Sequence, residues 1–419
     1  MNITLQPSAI GGSISAIPSK SHVHRLLICA AMSEEETRVL CPASSQDIDA
    51  TARCLEALGA RITYDGKAFS FRPGHRPTGN AVLDCGESGS TYRFLFPVAG
   101  ALGLNTVFRL HGRLPQRPMD ALFETLEERG ITITGKGTSE VRCSGHLNSG
   151  IFTIPGGISS QFISGLLFAL PLLEGDSEIR ITGKIESGKY IDITLEALKD
   201  FGIRADRKEN RILVPGSQHY RSPGEIRGEG DWSNAAFWLC GALTSGKAVT
   251  VAGLSPDSPQ GDKAICRILR EMGAETVWEG DSLTLIPGEL HGIDIDVTDI
   301  PDLVPALAAA ACSAKGITKI LGAGRLRIKE SDRLESVTRV LRTLGADITE
   351  GRDFLTLKGG RPLTGGTVDS WGDHRIAMMA AITAPLCTGS VEITGAEAVN
   401  KSYPGFFEDY NRLEKGGSL

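Results

Sequence analysis

The sequence predicts an α/β fold of two similar domains, each assembled from three copies of one repeated unit, and three observations carry that expectation. A glycine closing an amphipathic helix recurs at Gly59, Gly130, Gly202, Gly273 and Gly345, at spacings of 71, 72, 71 and 72 residues, and one further step lands on Gly416. Independently, a short β-branched strand runs into a turn residue at Cys41, Gly112, Gly183, Gly253, Gly322 and Gly395, with gaps of 71, 71, 70, 69 and 73. The chain of 419 residues also exceeds the span that one hydrophobic core organises, about 250–300 residues, so six copies divide naturally into three and three.

Each copy opens with an almost wholly apolar helix, as in Phe162-Ile163-Ser164-Gly165-Leu166-Leu167-Phe168-Ala169-Leu170, which is expected to be buried on most sides. A strand such as Val249-Thr250-Val251-Ala252-Gly253 follows. Next comes a more polar helix closed by glycine at its C′ position, then an alternating strand pair. The sixth copy stops after its second helix, near Phe406 to Leu413. Its missing strands are expected from residues 1–18, where Ile3-Thr4-Leu5 and Ser13-Ile14-Ser15-Ala16-Ile17 alternate. Crossings near Pro18-Ser19 and Ser222-Pro223-Gly224 would make one domain of residues 19–225 and another of 1–18 with 226–419, with substrate expected in a cleft between them.

Composition removes several classes. No stretch approaches the roughly 20 apolar residues of a membrane span, so no membrane role is expected. The N-terminus lacks the basic and apolar regions of a secretory signal, which places the chain in the cytoplasm. Nine scattered cysteines without a Cys-x-x-Cys pair read as buried thiols, not disulfides or zinc ligands. A formal net charge of -6 argues against nucleic acid as a partner, so any anion site must be local.

The polar residues of each first helix collect at its N-terminal end: Lys20-Ser21-His22-Val23-His24-Arg25, Glu87-Ser88-Gly89-Ser90-Thr91-Tyr92-Arg93, Ser159-Ser160-Gln161, Asp231-Trp232-Ser233-Asn234, Pro301-Asp302 and Asp373-His374-Arg375. Capping accounts for some of them, Ser233 and Asn234 above all, and it is the competing reading of Asp302 after Pro301. It does not account for Lys20, Arg25, Arg93, His374 or Arg375, because cations at a helix N-terminus oppose the macrodipole. Anions are therefore expected among them, since free N–H groups with Lys and Arg suit phosphate or carboxylate. The second helices add Gln116-Arg117-Pro118, Ser187-Gly188-Lys189-Tyr190, Lys401-Ser402-Tyr403-Pro404 and the dense run from Arg325 to Arg333. Within that run Glu330 and Arg333 stand three apart, the spacing of an ordinary surface ion pair.

Taken together these motifs resemble the EPSP synthase (3-phosphoshikimate 1-carboxyvinyltransferase) family along essentially the whole chain. The resemblance implies an inside-out α/β barrel in each domain, with helices directed inward, and transfer of the enolpyruvyl group of phosphoenolpyruvate to the 5-hydroxyl of shikimate 3-phosphate. It implies a tetrahedral intermediate, no cofactor, no metal and a monomer. By the same resemblance Asp302 is the base toward the hydroxyl and Glu330 the proton donor to carbon, with Lys20 also catalytic. Phosphoenolpyruvate is assigned to Lys20, Gly89, Arg93, Arg117, Arg333, His374, Arg375 and Lys401. Shikimate 3-phosphate is assigned to Lys20, Ser21, Arg25, Ser159, Ser160, Gln161, Ser187, Tyr190, Asp302 and Lys329. Glu87 and Arg325 depart from the commoner pattern, in which Asn is frequent at both, and an acid beside an anion site should repel.

Two other classes fit the sequence less well. A UDP-N-acetylglucosamine enolpyruvyl transferase usually carries a reactive Cys in the loop before the Arg-Pro pair, and residues 107–120 contain none. A ring-forming scaffold of repeated units around DNA would need basic residues along its inner helix faces and a positive net charge. Site residues distributed over both halves also lead us to expect the domains to close on the first anion bound.

Overall fold

The structure is a computed structural model that describes residues 1–74 and 79–417. The chain divides into two compact units, one of Met1–Ser19 with Glu229–Leu419 and one of Lys20–Gly228. Each has its own apolar core. Among the described residues no helix is long and apolar enough to cross a membrane.

Among the described residues the α-helices come in six pairs: α1 (Lys20–Met32) and α2 (Gln46–Ala57), α3 (Gly89–Ala101) and α4 (Asp120–Glu127), α5 (Ser160–Ala169) and α6 (Lys189–Asp200), α7 (Trp232–Ser245) and α8 (Ile265–Glu271), α9 (Val304–Ser313) and α10 (Arg333–Thr343), α11 (His374–Thr383) and α12 (Phe406–Glu414). The odd-numbered helices are buried almost all round, as their composition requires: every residue of α11 is buried, and in α5 Gln161 alone is not. In one unit α7, α9 and α11 pack on one another, and in the other α3 packs on α5. That second contact needs Gly165, where a methyl group would stand 2.3 Å from the Arg93 carbonyl oxygen.

The even-numbered helices end as the periodicity predicts. Gly59, Gly130, Gly202, Gly273, Gly345 and Gly416 all have positive φ, which a side chain would resist. At the first of them Ala60 N donates to Leu55 O at 3.0 Å and Gly59 N to Glu56 O at 2.9 Å, the paired bonds of a Schellman motif.

Each of the first five copies contributes three strands to its own sheet, the sixth only Val391–Thr394, and the strand leaving a copy joins the next. Strand Asn80–Asp84 thus pairs in parallel with Asn105–Arg109, and Ile151–Pro155 with Ser177–Thr182. The series closes on itself in both units. Strand Glu225–Arg227 returns to pair in parallel with Thr37–Leu40, and in the other unit Gly12–Ser15 pairs in parallel with Val249–Ala252. The two N-terminal strands therefore separate: Asn2–Leu5 runs antiparallel to Val391–Thr394 in the sixth sheet, while Gly12–Ser15 belongs to the fourth. The sixth sheet is left with three strands where the other five have four.

Candidate active site

In the unit Lys20–Gly228, the N-terminal ends of the odd helices carry the predicted cations and hold them by specific contacts. Lys20 opens α1, and its Nζ pairs with Asp47 Oδ2 at 2.8 Å, both side chains about one-seventh exposed. Asp47 lies in the first turn of α2, where an acid suits the helix dipole, so its sequence signal was indistinguishable from ordinary helix-start chemistry.

Arg25 is buried, with Nε donating to Thr194 Oγ1 at 2.7 Å and Nη2 to Tyr190 O at 3.0 Å and Ser164 Oγ at 3.4 Å; Nη1 donates to Ser21 O. These acceptors are neutral, and the guanidinium also lies 4.9 Å from the centre of the Phe94 ring. Burial pulls its pKa down to about 10, which still leaves the cation intact at neutral pH. Arg25, Ser21 and Tyr190 are thus brought together, although the guanidinium itself is engaged in joining α1 to α5 and α6.

Arg93, on α3, donates to Gln161 Oε1 at 2.8 Å and to Pro118 O at 3.1 Å, and Gln161 Nε2 reaches Ser90 Oγ at 2.9 Å. Ser159 is the N-cap of α5, accepting from Gln161 N at 3.3 Å, with Ser160 buried beside it. Arg117 follows a short 3-10 turn, Leu114–Gln116, and rests against the start of α3: a methyl group at Gly89 would stand 2.6 Å from its Nη1. Ser187 is buried with φ of 56°, a strained conformation for a non-glycine residue, just before α6. The exposed Glu87 turns its carboxylate over Gly112, where a Cβ would meet Oε2 at 2.5 Å.

The other unit assembles a denser network around Arg333, whose side chain is 1% exposed. Its Nη1 meets Asp302 Oδ1 at 2.8 Å, its Nη2 meets Glu330 Oε2 at 2.7 Å, and its Nε meets Asp373 Oδ2 at 2.8 Å. The Glu330–Arg333 pair is therefore a half of a buried junction, not the solvated pair that its spacing suggests. Lys329 Nζ lies 3.3 Å from Asp302 Oδ1, and Arg375 Nη2 lies 3.4 Å from Asp302 Oδ2. Asp302 does not cap α9, whose N-cap is Leu303; it sits in the 3-10 turn Pro301–Leu303 with its carboxylate surrounded by cations.

Burial pushes the Asp302 carboxyl up, but Arg375, Lys329 and Arg333 outweigh it and hold the group well below the usual carboxylate range. Burial likewise brings Lys329 down to about 8 despite the attraction of Asp302. Asp373, at no exposure, is the N-cap of α11, accepting from Arg375 N at 3.0 Å and from Ser331 Oγ at 3.0 Å. It therefore holds the Arg333 guanidinium and the backbone N–H of Arg375 at once. His374 follows it and is buried. Lys401 donates to Gly372 O at 2.7 Å, one residue before that cap, and so approaches the network.

One acid here had no signal in the sequence. Asp262, buried in the 3-10 turn Gly261–Ala264, accepts from Ser233 Oγ, and Asp231, not Ser233 or Asn234, caps α7 by accepting from Asn234 N at 2.8 Å. Burial and the Asp302 charge push the Asp262 carboxyl up to about 7, against the Ser233 hydrogen bond and Arg375. A carboxyl raised in the folded state binds its proton more tightly than the unfolded chain does, so its contribution to stability falls as pH rises from about 4 to about 7. We expect Asp262→Asn to gain stability relative to the parent across that window, by roughly 4 kcal/mol at its upper end, in paired thermal melts. A melting difference independent of pH would contradict a raised carboxyl.

Two families of side chains are thus laid out, one rich in cations and hydroxyls, the other a junction of three carboxylates and three cations. The first can hold phosphate or carboxylate groups, and the second can accept and donate protons. All nine cysteines are buried and free.

Comparison with known proteins identifies the family. The family model of EPSP synthase (3-phosphoshikimate 1-carboxyvinyltransferase) matches residues 5–410. The 3-phosphoshikimate 1-carboxyvinyltransferase of Clostridium kluyveri is 42% identical over 427 residues, covering 100% of this chain and 98% of its own. That of Clostridium acetobutylicum is 42% identical over 425 residues, with the same coverage. The solved EPSP synthase of Acinetobacter baumannii superposes with a TM-score of 0.82 at 27% identity, covering 98% of each chain. A full-length match of this kind, over a chain whose charged residues gather as described, makes this protein a member of the EPSP synthase family.

Proposed function

We infer that the protein transfers the enolpyruvyl group of phosphoenolpyruvate to the 5-hydroxyl of shikimate 3-phosphate, releasing phosphate, on the route to chorismate and the aromatic amino acids. Beyond family membership, the observation that supports this most is one buried guanidinium, Arg333, shared by two carboxylates, Asp302 and Glu330. The reaction needs two such groups: one to take the hydroxyl proton and one to deliver a proton to the methylene carbon. Glu330 is the donor in this reading, and it takes a proton back from the resulting methyl group when the tetrahedral intermediate expels phosphate. Asp302 is the base toward the hydroxyl. Its low proton affinity rises as substrate anions draw Arg333 and Arg375 away from it, so acceptance of the proton is coupled to substrate binding.

Lys20, Gly89, Arg93, Arg117, Arg333, His374, Arg375 and Lys401 hold phosphoenolpyruvate, while Lys20, Ser21, Arg25, Ser159, Ser160, Gln161, Ser187, Tyr190, Asp302 and Lys329 hold shikimate 3-phosphate. In the same reading each unit is an inside-out barrel with inward helices, and the protein works as a cytoplasmic monomer without cofactor or metal. Purified protein given phosphoenolpyruvate and shikimate 3-phosphate is expected to release phosphate, and given UDP-N-acetylglucosamine instead it is not. No release with either acceptor would remove the transferase reading.

The contact between Gly89 and Arg117 gives a sharper test. Gly89→Ala forces the guanidinium to shift, and we expect the KM for phosphoenolpyruvate to rise roughly tenfold, the loss of one charged hydrogen bond, while that for shikimate 3-phosphate stays nearly constant. Equal changes in both constants would mean a general distortion.

A further inference from the structure

A chain of buried side chains connects α1 to the start of α3. His24 Nδ1 lies 2.7 Å from Thr51 Oγ1, Thr51 Oγ1 lies 2.6 Å from Thr91 Oγ1, and Thr91 Oγ1 donates to Ser88 Oγ at 2.7 Å. All four residues are at most 1% exposed. Each hydroxyl has a single proton to give, so one direction fixes the rest. Thr91 spends its proton on Ser88, or on Asp47 O at the longer distance of 3.5 Å, and in either case it must accept from Thr51. Thr51 then has nothing left for His24 and must accept from Nδ1–H.

His24 is therefore the neutral tautomer protonated on Nδ1, with Nε2 bare. Two independent facts agree. Nε2 is buried with no hydrogen-bond partner among the described residues, and burial together with Lys20 and Arg25 drives the imidazole pKa well down. At the far end, Ser88 Oγ accepts twice, from Thr91 Oγ1 and from Thr91 N at 3.3 Å. Its own proton has no acceptor among the described residues, and it stands beside Gly89, against which the Arg117 guanidinium rests.

We propose that Ser88 donates its hydroxyl proton to the phosphoenolpyruvate anion held at Gly89 and Arg117, and that His24, Thr51 and Thr91 are positioning residues that keep this proton aimed outward. The proposal rests on the placement of phosphoenolpyruvate given above. Reversing the chain would turn the Ser88 proton inward onto Thr91 and present the anion with an oxygen lone pair, so the polarity of the chain sets affinity for the donor substrate and not for the acceptor.

Thr51→Val and Thr91→Val break the chain while leaving the Ser88 cap, and Thr51→Ser and Thr91→Ser restore the hydroxyl. The valine variants are expected to raise the KM for phosphoenolpyruvate about tenfold, with the KM for shikimate 3-phosphate held within about twofold, and the serine variants to recover it. Nitrogen-15 NMR of the histidines in the intact protein should report His24 as neutral and protonated on Nδ1. A His24 protonated on Nε2, or valine variants with an unchanged KM for phosphoenolpyruvate, would overturn the proposal. Arg117→Ala in the same assays separates the two readings: if it too leaves that KM unchanged, the placement of phosphoenolpyruvate fails, whereas the NMR result still judges the chain itself.

Discussion

Glu330→Gln is expected to lower kcat by about 10²–10⁴-fold while both substrates still bind. Glutamine preserves the shape of the side chain and can still accept a hydrogen bond from Arg333 Nη2, now 2.7 Å from the carboxylate, so the pocket should survive the change. What disappears is a group able to give a proton to carbon and take it back. Because one residue serves both the addition and the elimination, neither half-reaction should be spared, and the tetrahedral species should not accumulate. Steady-state turnover combined with equilibrium binding of shikimate 3-phosphate measures both sides of this expectation. Turnover within tenfold of the parent would show that another group supplies the proton.

The second large effect is on stability. Asp373→Ala is expected to cost about 3–5 kcal/mol, because it removes the fully buried carboxylate from Arg333 Nε and leaves that N–H buried without it, with about 1 kcal/mol more from the lost cap of α11. Asp373→Asn, which keeps the cap, should fall between that variant and the parent. Removing both charges, with Arg333→Leu and Asp373→Leu together, should recover part of the stability lost in Asp373→Ala yet no activity, since Arg333 also holds Asp302 and Glu330. Chemical denaturation reads the first quantity and phosphate release the second. A double variant less stable than either single one would show that the junction contributes by packing, not by charge.

How far the sequence could be read follows from what each residue type reveals locally. The C′ glycines were legible because helix closure demands left-handed backbone, and all six adopt it. The two N-terminal strands were legible as strands from their alternation, but alternation names a buried face and not a partner, so nothing local assigns Asn2–Leu5 to the sixth sheet and Gly12–Ser15 to the fourth. The cations at the helix starts raise the expectation of anions, yet Arg25 donates to neutral acceptors and Arg93 to the Gln161 amide and the Pro118 carbonyl. Where an anion is found it is the protein's own, Asp47 for Lys20 and Asp302 for Arg375, and Arg333, expected from its spacing only to pair with Glu330, gathers Asp302 and Asp373 as well. Asp373 was quoted in a motif yet given no role, since an N-cap and a buried counter-ion look alike in one dimension. Asp262 escaped notice altogether, because its importance arises from burial beside Ser233. Neighbours in sequence do not encode that.

The division of strands at the N-terminus has a consequence for how the molecule is made. Strand Asn2–Leu5 must wait for Val391–Thr394, and Gly12–Ser15 for Val249–Ala252, whereas residues 20–228 find every sheet partner among themselves. On the ribosome the inserted unit can therefore mature while the opening segment stays unpaired, an extended edge open to wrong associations until late in synthesis. Refolding of the complete chain should show the same order, with amides of 20–228 protected early and those of the opening strands among the last to resist exchange.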